Sequence, residues 1–218
     1  MATMSETSVL DEPAMDAPAP GKSERRRQAI LDVAKALFQA QGYAATSMSE
    51  IAARLGGSKG TLYNYFRSKE ELFAAFMIDT CQIGSNAVFE PLEPAGADLR
   101  EALIDLGVNF LTFLLMPDTL AVHRLVVAEC GRFPELGRIF FETGPKRGQE
   151  NLARFFAPII EQGRLKPGDP MEIGHWYKDM LLGDAYNRTL WGVLGELSPE
   201  QMRAHVGRAV DVFLRAFG

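Results

Sequence analysis

Cysteine is nearly absent from this sequence, whose 218 residues include only Cys81 and Cys130. The two lie far apart and lack the paired spacing of metal ligands, which argues against a disulfide framework and against a zinc site. A reducing, cytoplasmic location is therefore predicted, and no metal ion or cofactor is expected.

Long uncharged hydrophobic runs are missing as well. The longest one in the apolar middle of the chain extends from Leu106 to Pro117, which is too short to cross a bilayer, so no membrane partner is predicted. The amino terminus has no basic start followed by an apolar run, unlike a secretory signal. With 47% hydrophobic residues the chain still has ample material for a buried core.

Basic residues are absent from residues 1–21, which carry four acids and are rich in Pro, Ala and Ser. This composition predicts a disordered tail. Residues 22–69 carry nine bases against three acids, although the net charge of the whole chain is −5. A compact basic segment in an acidic protein favours a surface for a polyanion, but charge blocks of this size also occur on solvated surfaces.

Alternating strand patterns are lacking, and apolar residues recur at helical spacing, which predicts an all-α fold. A first helix ends near Gly42, a second follows the capping box Ser47–Glu50, and a third begins after Ser58. The Gly56-Gly57 turn separates the second from the third. Three short helices in this order are typical of a helix-turn-helix domain, which we assign to residues 22–69.

The third short helix has the composition of a helix that enters a major groove. Leu62 and Phe66, four residues apart, form an apolar back, while the front is slim and carries donors and a ring for base edges, sugars and phosphates. The alternative is an ordinary surface helix. The predicted DNA-contacting residues are Ser47, Ser58, Lys59, Gly60, Thr61, Tyr63, Asn64, Tyr65 and Lys69. For Arg25, Arg26 and Arg27, a phosphate-binding role and a solvated helix start remain equal alternatives.

Residues 27–77 resemble the DNA-binding domain of the TetR/AcrR family of bacterial transcription regulators. The sequence departs from that family at Gly57, where a Val-like residue is usual. The resemblance implies a dimer whose two third helices bind successive major grooves of a pseudo-palindrome. It is carried by Ala34, Phe38, Gly42-Tyr43, Thr46-Ser47, Ile51-Ala52, Gly56, Ser58-Lys59-Gly60-Thr61-Leu62-Tyr63, Tyr65-Phe66, Ser68-Lys69 and Leu72.

The later part of the chain is similar to the carboxy-terminal domain of the AefR-like branch of that family, through His123–Glu129 and Arg132–Leu136. Together with the helical pattern, this implies a connecting helix and linker at residues 70–97. A C-terminal helical ligand-binding and dimerisation domain then follows at residues 98–218.

Two further sets of residues are candidates within that domain, and for each the alternative is packing in the protomer's own core. A pocket for a small molecule is expected among large apolar residues and one histidine: Phe110, Phe113, His123, Phe141, Phe156, Trp176, Tyr177 and Met180. A symmetric contact between two copies is expected from the last two helices: Leu190, Val193, Leu194, Met202, Val206, Ala209, Val210 and Phe213.

These observations predict a ligand-responsive homodimeric repressor. Its predicted partners are double-stranded operator DNA, a second copy of the chain, and an unidentified small hydrophobic or aromatic effector that releases it from the operator. No catalytic residue set is predicted. The alternatives are a helical ligand carrier or interaction module without DNA binding and, with less support, a small all-α enzyme.

Overall fold

The computed structural model describes residues 21–89 and 98–218, and every regular element in these ranges is an α-helix, which confirms the all-α prediction. The predicted tail up to residue 20 and the linker residues 90–97 lie outside the described residues. The helices are α1 (Lys22–Ala45), α2 (Met48–Arg54), α3 (Lys59–Tyr65), α4 (Lys69–Phe89), α5 (Leu99–Leu115), α6 (Pro117–Glu129), α7 (Pro134–Thr143), α8 (Pro145–Glu161), α9 (Pro170–Leu190) and α10 (Pro199–Phe217).

The first hydrophobic cluster joins α1–α4 to α6 and α7. At its centre the rings of Phe38, Tyr43 and Phe73 contact one another with centroids 5.5 to 5.6 Å apart. The Tyr43 ring also meets Phe133, 5.2 Å away, in the segment between α6 and α7. Those later helices contribute Val122, Leu125, Val126 and Leu136. The boundary predicted at residues 97–98 therefore divides the sequence but not this core.

The second hydrophobic cluster lies mainly among α5, α8, α9 and α10. Its closest approach is at Gly107 of α5, where a Cβ would lie 2.6 Å from Val206 Cγ1 and 2.9 Å from Leu181 Cδ2. The hydroxyl of Tyr177, which is 1% exposed, donates to the Leu103 carbonyl at 2.5 Å. The absence of a side chain at Gly107 allows the backbone of α5 to pack directly against α9 and α10.

Helix α9 ends at Leu190, although the apolar helical pattern of the sequence continues to Leu194. Gly192 adopts a φ of +73°, and its N–H donates to the Thr189 carbonyl at 3.0 Å. The next N–H, of Val193, donates to the Arg188 carbonyl at 2.8 Å. These two bonds form a Schellman motif, which stops a helix at a left-handed glycine.

Helices α9 and α10 run antiparallel. At one end the N–H of Lys166, just before α9, donates to the Phe217 carbonyl at 2.7 Å. Further along, α9 is kinked at Gly183, whose φ is +45°. The His205 side chain of α10 lies against this kink, and its Nε2 donates to the Leu181 carbonyl at 2.8 Å. The kink leaves a carbonyl for His205 to bind, which fixes the register of the two helices.

None of the helices in the described ranges has, by itself, the length and hydrophobicity of a membrane-spanning segment. In these ranges, only α5 and α6 taken together have that length and hydrophobicity, and this pair is bent by 63° at the break between the two helices.

Candidate nucleic-acid interface

The turn between α2 and α3 is set by two serine caps and a glycine. The Ser47 hydroxyl accepts the N–H of Glu50 at 3.2 Å, and the Ser58 hydroxyl accepts the N–H of Thr61 at 3.1 Å. Between them, Gly56 has a φ of +63°, which favours glycine. Only half of the predicted capping box forms, because the Glu50 carboxylate instead accepts from Gln41 Nε2 at 2.7 Å.

Helix α3 has a buried back and an exposed front. Leu62 and Phe66 are each 2% exposed and pack in the first hydrophobic cluster. Tyr63 is 47% exposed, and Thr61 and Tyr65 are half-buried beside it. The predicted contact residues of this helix are thus all at least partly accessible, although Tyr65 also packs against the first hydrophobic cluster. The remaining exposed members of the set are Ser47, Ser58, Lys59, Gly60 and Asn64.

Gly57 is the position where the sequence departs from the family it resembles, and the structure shows what takes the missing space. A Cβ at Gly57 would lie 2.8 Å from a guanidinium nitrogen of Arg26. The same nitrogen donates to the Leu55 carbonyl, at the end of α2, at 3.5 Å. The Arg26 side chain therefore packs over the turn. The sequence argument missed this role, although Gly57 itself was the available signal.

An open groove of about 680 Å³ lies at the start of α1, lined by Lys22, Ser23, Arg25, Arg26, Ala29 and Tyr65. The lysine and arginine side chains of this groove place positive charge beside Tyr65, at the carboxyl end of α3. The Arg27 guanidinium lies 5.5 Å from the centroid of the Phe66 ring and 3.9 Å from the Glu24 carboxylate. Since Arg26 and Arg27 both contact the protein, neither alternative that the sequence left open describes them fully.

Lys69, a predicted phosphate contact, also binds within the protein. Its Nζ donates to the carbonyls of Tyr43 at 2.8 Å and Thr46 at 2.9 Å, and lies 4.1 Å from the centroid of the Tyr43 ring. Desolvation by burial lowers the pKa of this ammonium group. The side chain holds the end of α1 against the start of α4, which gives Lys69 a role in positioning the helices; its contact with phosphate stays a prediction.

The residues predicted to line a ligand pocket do not form one group. Phe156 and Tyr177 have 0% and 1% of their surface accessible, so no open cavity adjoins them and they belong to the core. Trp176 and Phe141 are 47% and 46% exposed on the outside of the protein. These four residues therefore do not line a common cavity in this structure. Phe110, Phe113 and Met180 are half-buried and pack against the second cluster.

His123 of α6 contacts residues of α7 and α9. Its Nδ1 and the Tyr186 hydroxyl of α9 share a hydrogen bond, and its ring meets the Phe140 ring edge-on at 5.1 Å. Desolvation by burial lowers the pKa of His123 to about 4, which keeps the imidazole neutral near pH 7. The sequence predicted a functional role for His123, but nothing in it pointed to Tyr186 as the partner of this histidine.

Half of the eight predicted dimer-contact residues face inward. Met202, Val206, Val210 and Phe213 are 7%, 0%, 0% and 0% exposed and pack in the second cluster of their own protomer. A side chain without accessible surface cannot contact a second copy, so these assignments are wrong. Val193 is 66% exposed beyond the end of α9, and Leu190, Leu194 and Ala209 are half-buried.

Within the described ranges, no three His, Cys, Asp or Glu side chains gather as a metal site would require. The thiol of Cys130 is free and half-buried.

Comparison with known proteins identifies the family. Residues 30–76 match the model for bacterial regulatory proteins of the tetR family, and residues 101–218 match that for the AefR-like transcriptional repressor C-terminal domain. The HTH-type transcriptional regulator YfiR of Bacillus subtilis is 38% identical over 157 residues, which cover 68% of this chain and 72% of YfiR.

Solved structures agree. A TetR-family transcriptional regulator from Mesorhizobium loti matches with a TM-score of 0.80 and 29% identity, over 91% of this chain and 100% of its own. The flavonoid-responsive regulator FrrA matches with a TM-score of 0.78 and 32% identity, over 88% of this chain and 97% of its own. The resemblance predicted from sequence is confirmed: this chain belongs to the TetR family, as a DNA-binding helix-turn-helix regulator of transcription.

Proposed function

We propose that this regulator is a homodimeric repressor whose two α3 helices occupy successive major grooves of an operator. The observation that carries the proposal is the exposed front of α3 over a fully packed back. Lys59 and Asn64 offer donors to base edges or phosphates, and the Tyr63 ring offers an apolar contact for a thymine methyl or a sugar. Repression, rather than activation, rests on the AefR-like repressor domain that the chain matches.

The dimer contact that we propose is the outer face of α9 and α10. His205 lies level with Gly183 in this antiparallel pair. Seven residues back along α9 is Trp176, and seven residues forward along α10 is Val212, so these two side chains are level as well. They are 47% and 45% exposed, and in the proposed dimer a second copy would cover these two apolar side chains.

The effector that we propose is a small aromatic molecule. Support comes from the half-buried rings of Phe110 and Phe113 on α5 and from the likeness to FrrA, a flavonoid-responsive regulator. Such a molecule would release the operator only by binding more tightly to a dimer with a different separation of the α3 helices. His123 and Met180 remain proposed contacts for it.

Selection of bound DNA from a random pool tests the function. The expected product is a pseudo-palindrome whose half-sites are about 10 base pairs apart, centre to centre. Tyr63→Ala should weaken binding to this operator by about tenfold, because it removes an apolar contact to the bases. Circular dichroism and sedimentation should show a folded protein with unchanged assembly.

Phe141→Ala is the matched control, because it truncates an equally exposed ring on α7, away from α3. Failure to enrich any sequence, or equal operator affinity of Tyr63→Ala and the parent protein, would contradict the proposal.

A further inference from the structure

Helix α6 lies between the helix-turn-helix and the end of α9. On one side it is bound to α1 by apolar packing and by two polar contacts. The Asp118 carboxylate pairs with Lys35 Nζ at 2.5 Å, and the Glu129 carboxylate accepts the N–H of Ala44 at 3.2 Å. The apolar contacts come from Val122, Leu125 and Val126. Contacts at both ends of α6 therefore hold it against α1.

The opposite side of α6 carries Arg124. Two residues beyond Val122 in a helix is a turn of about 200°, so Arg124 faces away from α1. Its Nε donates to the Leu190 carbonyl at 2.8 Å, and a terminal guanidinium nitrogen donates to the Thr189 carbonyl at 3.0 Å. Both carbonyls belong to the last turn of α9.

The last turn of α9 offers backbone carbonyls as acceptors for a guanidinium. The Schellman motif at Gly192 uses the carbonyls of Arg188 and Thr189. The Leu190 carbonyl is not part of that motif, and the carboxyl end of a helix carries partial negative charge. Arg124 supplies two donors and a positive charge at this point, with a fork geometry that lysine lacks. The bond between His123 and Tyr186 lies one turn back along α9 and joins the same two helices.

We propose that Arg124 is a positioning residue that fixes the separation of the two α3 helices and so determines which half-site spacing the regulator accepts. The inference rests on the proposed function, in which α9 and α10 form the dimer contact. Arg124 then links that contact to α6, and α6 carries α1 and the rest of the helix-turn-helix. One base pair more or less between half-sites changes their separation by about 3.4 Å and their relative rotation by about 35°, which a fixed pair of helices would not tolerate.

The experiment measures binding to the selected operator and to versions with one or two base pairs added or removed at its centre. The parent protein should lose affinity by about tenfold or more for a change of one base pair. Arg124→Gln should lose less than about threefold, because α6 loses the two hydrogen bonds that hold it to the last turn of α9. Arg147→Gln on α8 is the matched control, since the described residues show no hydrogen bond to its exposed guanidinium, and it should keep the parent profile.

The outcomes separate the two proposals. If the parent protein binds no selected DNA, the proposed function fails. If it binds but tolerates all spacings, or if folded, dimeric Arg124→Gln keeps the narrow profile of the parent, the role of Arg124 is wrong. Should Arg124→Gln not fold, Arg124→Lys decides by the same criterion, because it keeps the charge but not the two-donor geometry.

Discussion

Lysine side chains near the recognition helix have different tasks according to what surrounds the ammonium group. Lys59 is exposed at the start of α3, whereas the ammonium group of Lys69 is bound to two backbone carbonyls and lies over an aromatic ring. Both residues read alike in the sequence, as cations beside a helix-turn-helix. The contacts of Lys69 with Thr46 and Tyr43, 23 and 26 positions earlier in the chain, distinguish its role from that of Lys59.

Substitution of these two lysines by methionine should give opposite results. Lys69→Met should lower the free energy of unfolding by about 1–2 kcal/mol, because two hydrogen bonds from a charged donor are lost. Lys59→Met should change stability by less than about 0.5 kcal/mol but weaken operator binding and reduce its salt dependence. Urea denaturation and binding at several salt concentrations measure the two effects. A Lys69→Met protein of parent stability would contradict the positioning role.

His123 predicts a specific pH dependence of stability. Its pKa is about 4 in the folded protein and 6.5 for the free side chain, so the unfolded chain binds the proton more readily. The stabilising contribution is therefore complete above pH 6.5 and is lost as the pH falls towards 4, up to about 3 kcal/mol. Urea denaturation of the parent and of His123→Asn at pH 7, 6, 5 and 4 should show the steeper loss in the parent.

Val127→Ala provides the control for this measurement, because it changes an exposed side chain on the same helix that carries no titratable group. This variant should follow the parent curve over the same pH range. A His123→Asn protein whose stability also follows the parent curve would mean that His123 does not contribute this pH dependence.

At the scale of the helix, local signals predicted most of the fold. The starts of α2 and α3 were predictable because Ser47 and Ser58 bind N–H groups only three residues away. The end of α9 was not, since the apolar residues after Leu190 continue the helical pattern past Gly192. Helical periodicity also identified the apolar face of α10 but not its partner. That face packs against α5 and α9, because Gly107 allows these helices to approach closely.

The contact at Gly107 should be sensitive to a single methyl group. Gly107→Ala would place a Cβ within 3.0 Å of side-chain atoms of Val206, Leu181 and Tyr177, so the three helices must separate. We expect a loss of about 1–3 kcal/mol in the free energy of unfolding. Gly148→Ala in α8 is the control, because nothing lies within 4 Å of its Cβ position and alanine favours the helix by up to about 1 kcal/mol. Equal stabilities of the two variants would show that the packing at Gly107 is loose.

At the scale of the whole molecule, two hydrophobic clusters stabilise the fold. The first joins the helix-turn-helix to α6 and α7, and the second joins α5 to α8, α9 and α10. The outer face of α9 and α10, with Trp176 and Val212, remains available for a second copy. The sequence pointed to the same pair of helices that this proposal uses, but the residues it singled out on α10 face inward.

Trp176→Glu should therefore give a folded monomer. A charge in the centre of an apolar contact would oppose association. Because two linked reading helices bind far more tightly than one, operator affinity should fall by about 100-fold or more. Sedimentation and operator binding measure these effects, and Phe141→Glu, an equally exposed substitution on α7, should leave both unchanged. A dimeric Trp176→Glu protein with parent affinity would exclude this face.

The contact of Tyr43 with Phe133 and the packing of α6 and α7 beneath the helix-turn-helix have a practical consequence. A fragment cut after residue 89 would expose the aromatic underside of its reading domain to water. Such a fragment should aggregate or melt at low temperature, and it would not serve as an interchangeable cassette in chimaeric regulators. A transplant that includes residues up to the end of α7 would contain the α6 and α7 side chains that cover this aromatic surface.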